Sequence, residues 1–160
     1  MSVLEAFAPV QSSAQVLNDV HSRLNSTRVA QVARPTTIRA ARTLIGNCAR
    51  ARQPLALMGA RHSMGGQQFL SDGVVLDTTA LNRIESFDDD RGLVVVEAGI
   101  RWPDLLDWLQ RNPANSKHWT VRQKQTGGDD FSLGGSLAAN IHGRGLGLAP
   151  LVDDIEWIEL

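Results

Sequence analysis

Apolar residues along this chain recur at two different periods, and the switches between them mark out the elements. Ile38, Ala41, Leu44, Ile45 and Cys48 fall on one face of a helix. Arg34-Pro35-Thr36-Thr37 leads into it: Pro35 favours extended backbone before it, Thr36 can cap, and the helix is expected to end near Arg52. Val16, Val20 and Leu24 carry helical spacing across 13–25, with Ser12 or Ser13 as the cap. Trp102 to Leu109 reads as a further helix, with Pro103 in the first turn, where a missing N–H costs nothing. Ser136 to Ile141 follows a Gly-Gly pair and reads as a short helix of small residues.

The strand signals are shorter. Val29–Val32, Pro54–Met58 and Gly73–Thr78 are compact apolar runs. Ile84–Phe87 and Leu93–Ala98 flank the turn residues Asp88 to Gly92 and predict a hairpin. Trp119–Arg122 and residues 152–160 complete the predicted strands, and residues 1–12 read as a loose arm. The order is mixed, so the expected class is α+β. Residues 1–30 form an arm and helix, 31–82 one unit and 83–160 a second, with polar turn residues at 79–92 between them.

Composition narrows the possibilities. Of the 160 residues, 42% are hydrophobic and 21% charged, and the net charge is −1. No overall field draws such a chain to nucleic acid or an anionic membrane. Cys48 is the only cysteine, which excludes an internal disulfide and favours a reducing compartment. Neither a secretory leader nor a membrane-spanning apolar run is evident, so the expectation is a cytoplasmic protein without a membrane partner. Ile155, Trp157, Ile158 and Leu160 resemble a buried strand that stops without a turn signal, which suggests a longer parent protein.

Two segments could carry chemistry. Gly59-Ala60-Arg61-His62-Ser63-Met64-Gly65-Gly66 leaves an apolar strand as a glycine-rich loop. Glycines allow close approach to an anion, Arg61 adds a cation, and His62 and Ser63 add donors. A diphosphate cradle and a tight surface turn with a stray histidine both fit this pattern. The glycine spacing is not that of G-x-G-x-x-G. The second segment runs from Gln125-Thr126-Gly127 through Gly134-Gly135, Ala138 and Asn140 to His142-Gly143. Its small residues would let a flat ring approach, and its polar groups could meet phosphate or flavin oxygens. A close helix-to-sheet contact, with His142 structural, fits equally. Together the two segments suit a long ligand with a central diphosphate, such as FAD. A zinc site on His62, His118 and His142 matches no common spacing, and Asp129 and Asp130 read as solvated loop charges, so no metal is expected.

In this order, Gly59–Ser63, Val74–Thr78, Leu81–Ile84, Val95–Gly99, Leu133–Gly135 and Asn140–Gly143 resemble the FAD-binding (PCMH-type) domain of the vanillyl-alcohol-oxidase/p-cresol methylhydroxylase family. The branch most similar contains aldonolactone and alditol oxidases. That resemblance covers roughly residues 30–160. It implies two α+β subdomains with FAD between them, the 57–66 loop on the diphosphate and the 125–143 segment along the flavin and ribityl chain. His62 falls where many members bond covalently to the flavin 8α-methyl carbon, a link that raises the flavin potential and prevents cofactor loss. Gly134 falls near the reactive edge of the ring, where a glycine leaves room for oxygen. Family enzymes add a separate substrate domain, which these residues lack, so substrate and catalytic base are not legible here. The implied partners are a small-molecule substrate and an electron acceptor, with self-association through exposed apolar surface. The competing class is a non-catalytic module that binds a nucleotide or phosphate through the same loops.

Overall fold

In a computed structural model, residues 14–160 are described, and their hydrophobic clusters fall into an early group and a late group. The early group is built on a parallel sheet of β3 (Gln31–Ala33), β5 (Val74–Asp77) and β4 (Leu55–Met58), with β5 in the middle. A central strand covered on both sides has to be apolar at successive positions, and Val74, Val75 and Leu76 are all buried. Leu76 packs with Ala41 and Leu81 under α1 (Ile38–Arg50). Val75 packs with Leu17, Val29, Met58 and Phe69 on another cluster. Thr37, not Thr36, caps α1: it is extended, and its hydroxyl accepts from the Ala40 amide at 3.1 Å.

The helix expected over 13–25 is not present. Residues 14–25 instead contribute β1 (Gln15–Leu17), antiparallel to β2 (Thr27–Val29), followed by a turn wrapped around Asp19. Asp19 is 2% exposed, and its Oδ1 accepts from the amides of His21, Ser22 and Arg23. An aspartate that captures its neighbours' amides competes with helix formation, and here it wins. Val16 and Leu24, the supposed apolar face and a core candidate among them, stand 68% and 85% exposed, while Leu17 is buried. The predicted arm 1–12 and the Ser12 or Ser13 cap lie outside the described residues. The single strand expected over Val29–Val32 divides at Ala30 between two sheets.

In the late group, β6 (Ile84–Asp88) and β7 (Leu93–Val96) form the predicted hairpin, with Asp88 Oδ1 accepting from the Asp90 and Arg91 amides in the turn. The predicted α2 (Trp102–Arg111) has Pro103 in its first turn and buries Trp102, Leu105 and Leu109. Phe87 meets Trp108 edge-on, with ring centroids 5.7 Å apart. α3 spans Leu133–Ala138, three residues earlier than the pattern suggested, because Ser132 caps it through the Gly135 amide. The indole N–H of buried Trp102 donates to the buried Ser136 hydroxyl at 3.0 Å, which fixes α2 to α3.

Two further strand expectations fail for lack of a partner strand. Trp119 exchanges its amide and carbonyl with the Asn115 carboxamide, at 2.7 and 2.8 Å, and residues 119–122 stay irregular. Residues 152–160 hold the end of a 3₁₀ turn, Leu151–Asp154, and then irregular chain. Ion pairs Arg42–Glu159 (2.7 Å) and Arg91–Glu156 (3.2 Å) hold that tail; both are exposed and contribute little. Trp157, Ile158 and Leu160 are exposed.

The two groups are joined tightly between residues 78 and 99. Gly99 donates its amide to Leu81 O at 2.7 Å. Glu97, its side chain 1% exposed, accepts from the Arg83 guanidinium and the Arg83 amide, each at 2.8 Å. Burial alone would raise the Glu97 carboxyl, but these bonds outweigh it and hold it below its ordinary value.

Candidate functional site

The 59–63 loop leaves β4 and faces the 125–141 segment across a cleft of about 280 Å³. Gly59, Ala60, Arg61, His62 and Ser63 line one side, with Gln68. Gln125, Phe131, Ser132, Gly135, Ala139 and Ile141 line the rest. Residues distant in sequence are thereby brought together by the fold. The walls touch at Gly59, where an added Cβ would lie 2.6 Å from Ser132 Oγ, so any side chain there must displace the Ser132 hydroxyl.

Arg61 is exposed and left-handed at φ 62°, a conformation that costs a non-glycine residue about 1 kcal/mol. Its carbonyl accepts from the Val20 amide at 3.0 Å, so the Asp19 turn helps hold it there. The same turn reaches Met64, whose carbonyl accepts from the Asn25 carboxamide. Burial alone would raise the Asp19 carboxyl. The Ser22 hydroxyl, the Arg23 and Ser22 amides and Asn25 outweigh that and hold it well below the carboxylate range.

A group depressed in the folded state contributes stability above its unfolded value, near pH 3.9, which is lost as pH falls through the folded value. Asp19→Asn is therefore expected to be less stable than the unaltered chain at pH 7. The gap should narrow towards pH 2, as urea midpoints at the two pH values would show; a gap independent of pH would contradict the assignment.

His62 is half-buried, and its Nδ1 lies 2.8 Å from Nε2 of His21. Its ring centroid lies 4.8 Å from that of His21 and 4.7 Å from that of Phe131. Burial pushes the His62 imidazole below its ordinary value; His21 and Arg101 add to this, and Asp130 opposes it. Arg101 and Asp130 pair at 3.6 Å. Gln68 donates its amide N–H to Ser63 O at 3.0 Å, bracing the loop. Its Oε1 is buried with no hydrogen-bond partner among the described residues. An acceptor of that kind in a cleft wall awaits a donor, which a nucleotide's hydroxyls or amine can supply.

Other predicted residues do not line the cleft. Met64 is 61% exposed, and Gly65 is exposed beside it. Thr126 and Gly127 sit on an open turn. Gly134 packs against Ala98, which an added Cβ would meet at 2.8 Å, so this contact by itself requires the glycine. Ala138 is exposed. Asn140 is left-handed at φ 43°, and its Oδ1 accepts from the Val152 amide at 3.3 Å. His142 is exposed, its Nδ1 3.0 Å from Gly143 O, and the Gly143 amide donates to Gln123. Ala139 and Ile141 lie within the predicted 125–143 segment, whereas Gln68, Phe131 and Ser132 on the cleft, and His21 beside His62, are not among the predicted site residues. Of these only Ser132 has a local signal, a serine ahead of Leu-Gly-Gly-Ser that can cap a helix; Gln68 and Phe131 meet the cleft, and His21 meets His62, through long-range packing.

A larger groove, about 570 Å³, runs between the end of α2 and residues 112–120. Its buried polar residue, Asn115, already bonds Leu109 and Trp119, and no predicted site residue lines it. Among the described residues, no group of three or more His, Cys, Asp or Glu could hold a metal ion, and no helix is long and apolar enough to cross a membrane.

The profile of the FAD binding domain family matches residues 29–160. No curated protein sequence gives a significant match. Among solved structures, alkyldihydroxyacetonephosphate synthase in a P1 crystal superposes with a TM-score of 0.62 at 18% identity, over 76% of this chain and 24% of that one. The same synthase in P212121 gives 0.61 at 18% identity, over 70% and 20%. Aclacinomycin oxidoreductase gives 0.56 at 17% identity, over 70% and 22%. At such identities the likeness is one of fold, and the chain spans about a quarter or less of each of these proteins.

Proposed function

This chain belongs to the FAD binding domain family, and from that premise we propose that the 59–63/125–141 cleft holds FAD in a flavin-dependent oxidoreductase. The observation that carries the proposal is the meeting of two glycine-rich segments, far apart in sequence, across one cleft. At about 280 Å³ it falls just under the usual range for sites that enclose a drug-sized ligand, so it suits part of a dinucleotide lying along an open groove. The fit is chemical as well. Arg61 supplies a cation, the loop supplies backbone N–H groups, and Gln68 Oε1 supplies an unused acceptor.

In this reading residues 31–82 and 83–160 are two subdomains that meet at the cofactor. Gly59–Ser63 hold the diphosphate. Gln125 and Gly135 flank the flavin and ribityl chain. Bound FAD supplies the hydride acceptor for oxidation of a C–H next to oxygen, in an alcohol, sugar or lactone-like substrate, with electrons leaving to oxygen or another acceptor. His62 would be the residue to hold FAD covalently, through the flavin 8α-methyl carbon, with the imidazole N–H and one methyl C–H given up and the electron pair passing through the ring system to oxygen.

Purified chain loaded with FAD is expected to keep its yellow colour in an acid-precipitated pellet, and His62→Ala to release all of it to the supernatant. Colour retained in the His62→Ala pellet would contradict attachment there. Melting with FAD, ADP or phosphate separates a flavin site from a general anion site, because only the former gives FAD the largest stabilisation.

A further inference from the structure

Charge is not spread evenly along this chain. Residues 20–71 hold eight arginines and no aspartate or glutamate, whereas residues 72–160 hold 15 acidic residues against eight basic ones. The net charge of −1 therefore hides a basic stretch and an acidic one. Folding gathers part of the basic stretch on one helix. α1 turns Ala41 and Cys48 inward and leaves Arg39, Arg42 and Arg50 exposed. Arg39 and Arg50 stand eleven positions apart, close to three full turns, so they share an outward face roughly 16 Å long. No acidic residue in α1 balances them. The arrangement costs stability: Arg39 sits in the first turn, where the helix dipole favours a carboxylate, and Arg39 and Arg42 are like charges three positions apart. Arg42 pairs with Glu159 at 2.7 Å. Arg39 and Arg50 have no ion-pair partner among the described residues, and Arg50 donates to the neutral Asn47 carboxamide instead. On the acidic side, exposed Asp88, Asp104 and Asp153 likewise have no cationic partner among the described residues.

We infer that the arginine face of α1 is a docking surface for the acidic side of a second copy of this chain, in head-to-tail contact. A second copy brings the complementary charge with it, and at a net charge of −1 two copies do not repel each other as wholes. An anionic membrane or a nucleic acid would match α1 but repel the acidic remainder of the chain; a second copy suits both. Arginine also fits the task, because its planar fork can hold a carboxylate by two bonds at once. Two different patches meet in such a contact, so it is heterologous and does not stop at a two-fold dimer. It does not depend on what fills the 59–63/125–141 cleft.

The test is sedimentation equilibrium of the full 160-residue chain. At about 0.02 M salt the average mass should rise with concentration beyond that of one chain. At about 0.5 M salt, where charges are screened within a few ångströms, it should return to that of one chain. Association through exposed apolar surface would instead persist or strengthen in salt. The double variant Arg39→Glu/Arg50→Glu should lower the low-salt association constant by roughly tenfold or more. One of its substitutions suits the helix dipole and the other opposes it, so its melting midpoint should hardly move. Mixed in excess with the unaltered chain, the variant should still be captured through its intact acidic side and should cap growth at pairs. An unaltered chain that stays monomeric at low salt, association that survives about 0.5 M salt, or a variant that associates as the unaltered chain does would overturn the inference. So would a variant that the unaltered chain fails to capture. A monomer that binds anionic vesicles or transfer RNA at low salt would overturn it too, because the face would then serve another polyanion.

Discussion

Replacing Gly99 by Ala is expected to destabilise the chain by about 3 kcal/mol, the upper end for an overpacked site, and to lower its melting midpoint by roughly 6–12 °C. The added methyl carbon would lie 2.1 Å from Thr78 O and 2.6 Å from Leu81 O. Both obstacles are backbone atoms, so no rotamer change relieves them. Leu81 O also accepts the Gly99 amide at 2.7 Å, and the strain would pull on the bond that joins the early and late groups. Gly46→Ala is the matched control. It sits in the middle of α1, where the nearest obstacle is the flexible tip of Arg50 at 3.4 Å. There the same chemical change should stabilise by roughly 0.5–1 kcal/mol. Thermal melts of both variants check the pair. A Gly99→Ala protein that melts with the unaltered chain would mean the two groups are not packed as described.

Gly59→Ala is expected to weaken FAD binding by roughly tenfold or more, about 1.4 kcal/mol, while leaving most of the fold intact. The new methyl meets Ser132 Oγ at 2.6 Å and pushes the two walls of the cleft apart. With Ser132 replaced by Ala, the nearest remaining Ser132 atom is the Cβ at 3.7 Å, an ordinary contact. Ser132→Ala alone gives up the cap on α3, for about 1 kcal/mol of stability. The double variant should then bind FAD about as well as Ser132→Ala alone, a coupling of about 1.4 kcal/mol between residues 73 positions apart in the chain. FAD titrations of the four proteins measure it. Strictly additive effects would show that the walls do not meet at Gly59.

Elements stabilised within a short stretch could be read from the sequence. α1, α2 and the β6–β7 hairpin each carry their period, cap or turn residues locally, and they stand where the pattern puts them. Two of the failures involve a side chain that captures backbone groups. Asp19 does this to 19–23 and turns a helical spacing into a strand and turn. Asn115 does it to Trp119 and prevents a strand there. Neither effect leaves a mark in apolar periodicity.

The site divides in the same way. Glycine spacing exposed the 59–66 and 125–143 segments, and the ordered family resemblance gave them a shared ligand. The sequence could not tell cleft glycines from packing glycines. Gly59 and Gly135 line the cleft, whereas Gly134 is required by Ala98. Nor could it place His21 beside His62, since 41 residues separate them and the helical spacing over 13–25, which holds His21, points to an element that is not there.

Fluorescence titration of the purified chain with FAD bears most directly on the cleft, carried out alongside Arg61→Ala on one wall and Phe131→Ala on the other. The expected result is saturable binding of one FAD per chain, weakened roughly tenfold or more by each substitution. No saturable binding, or binding indifferent to both substitutions, would contradict the placement of the cofactor between these two loops.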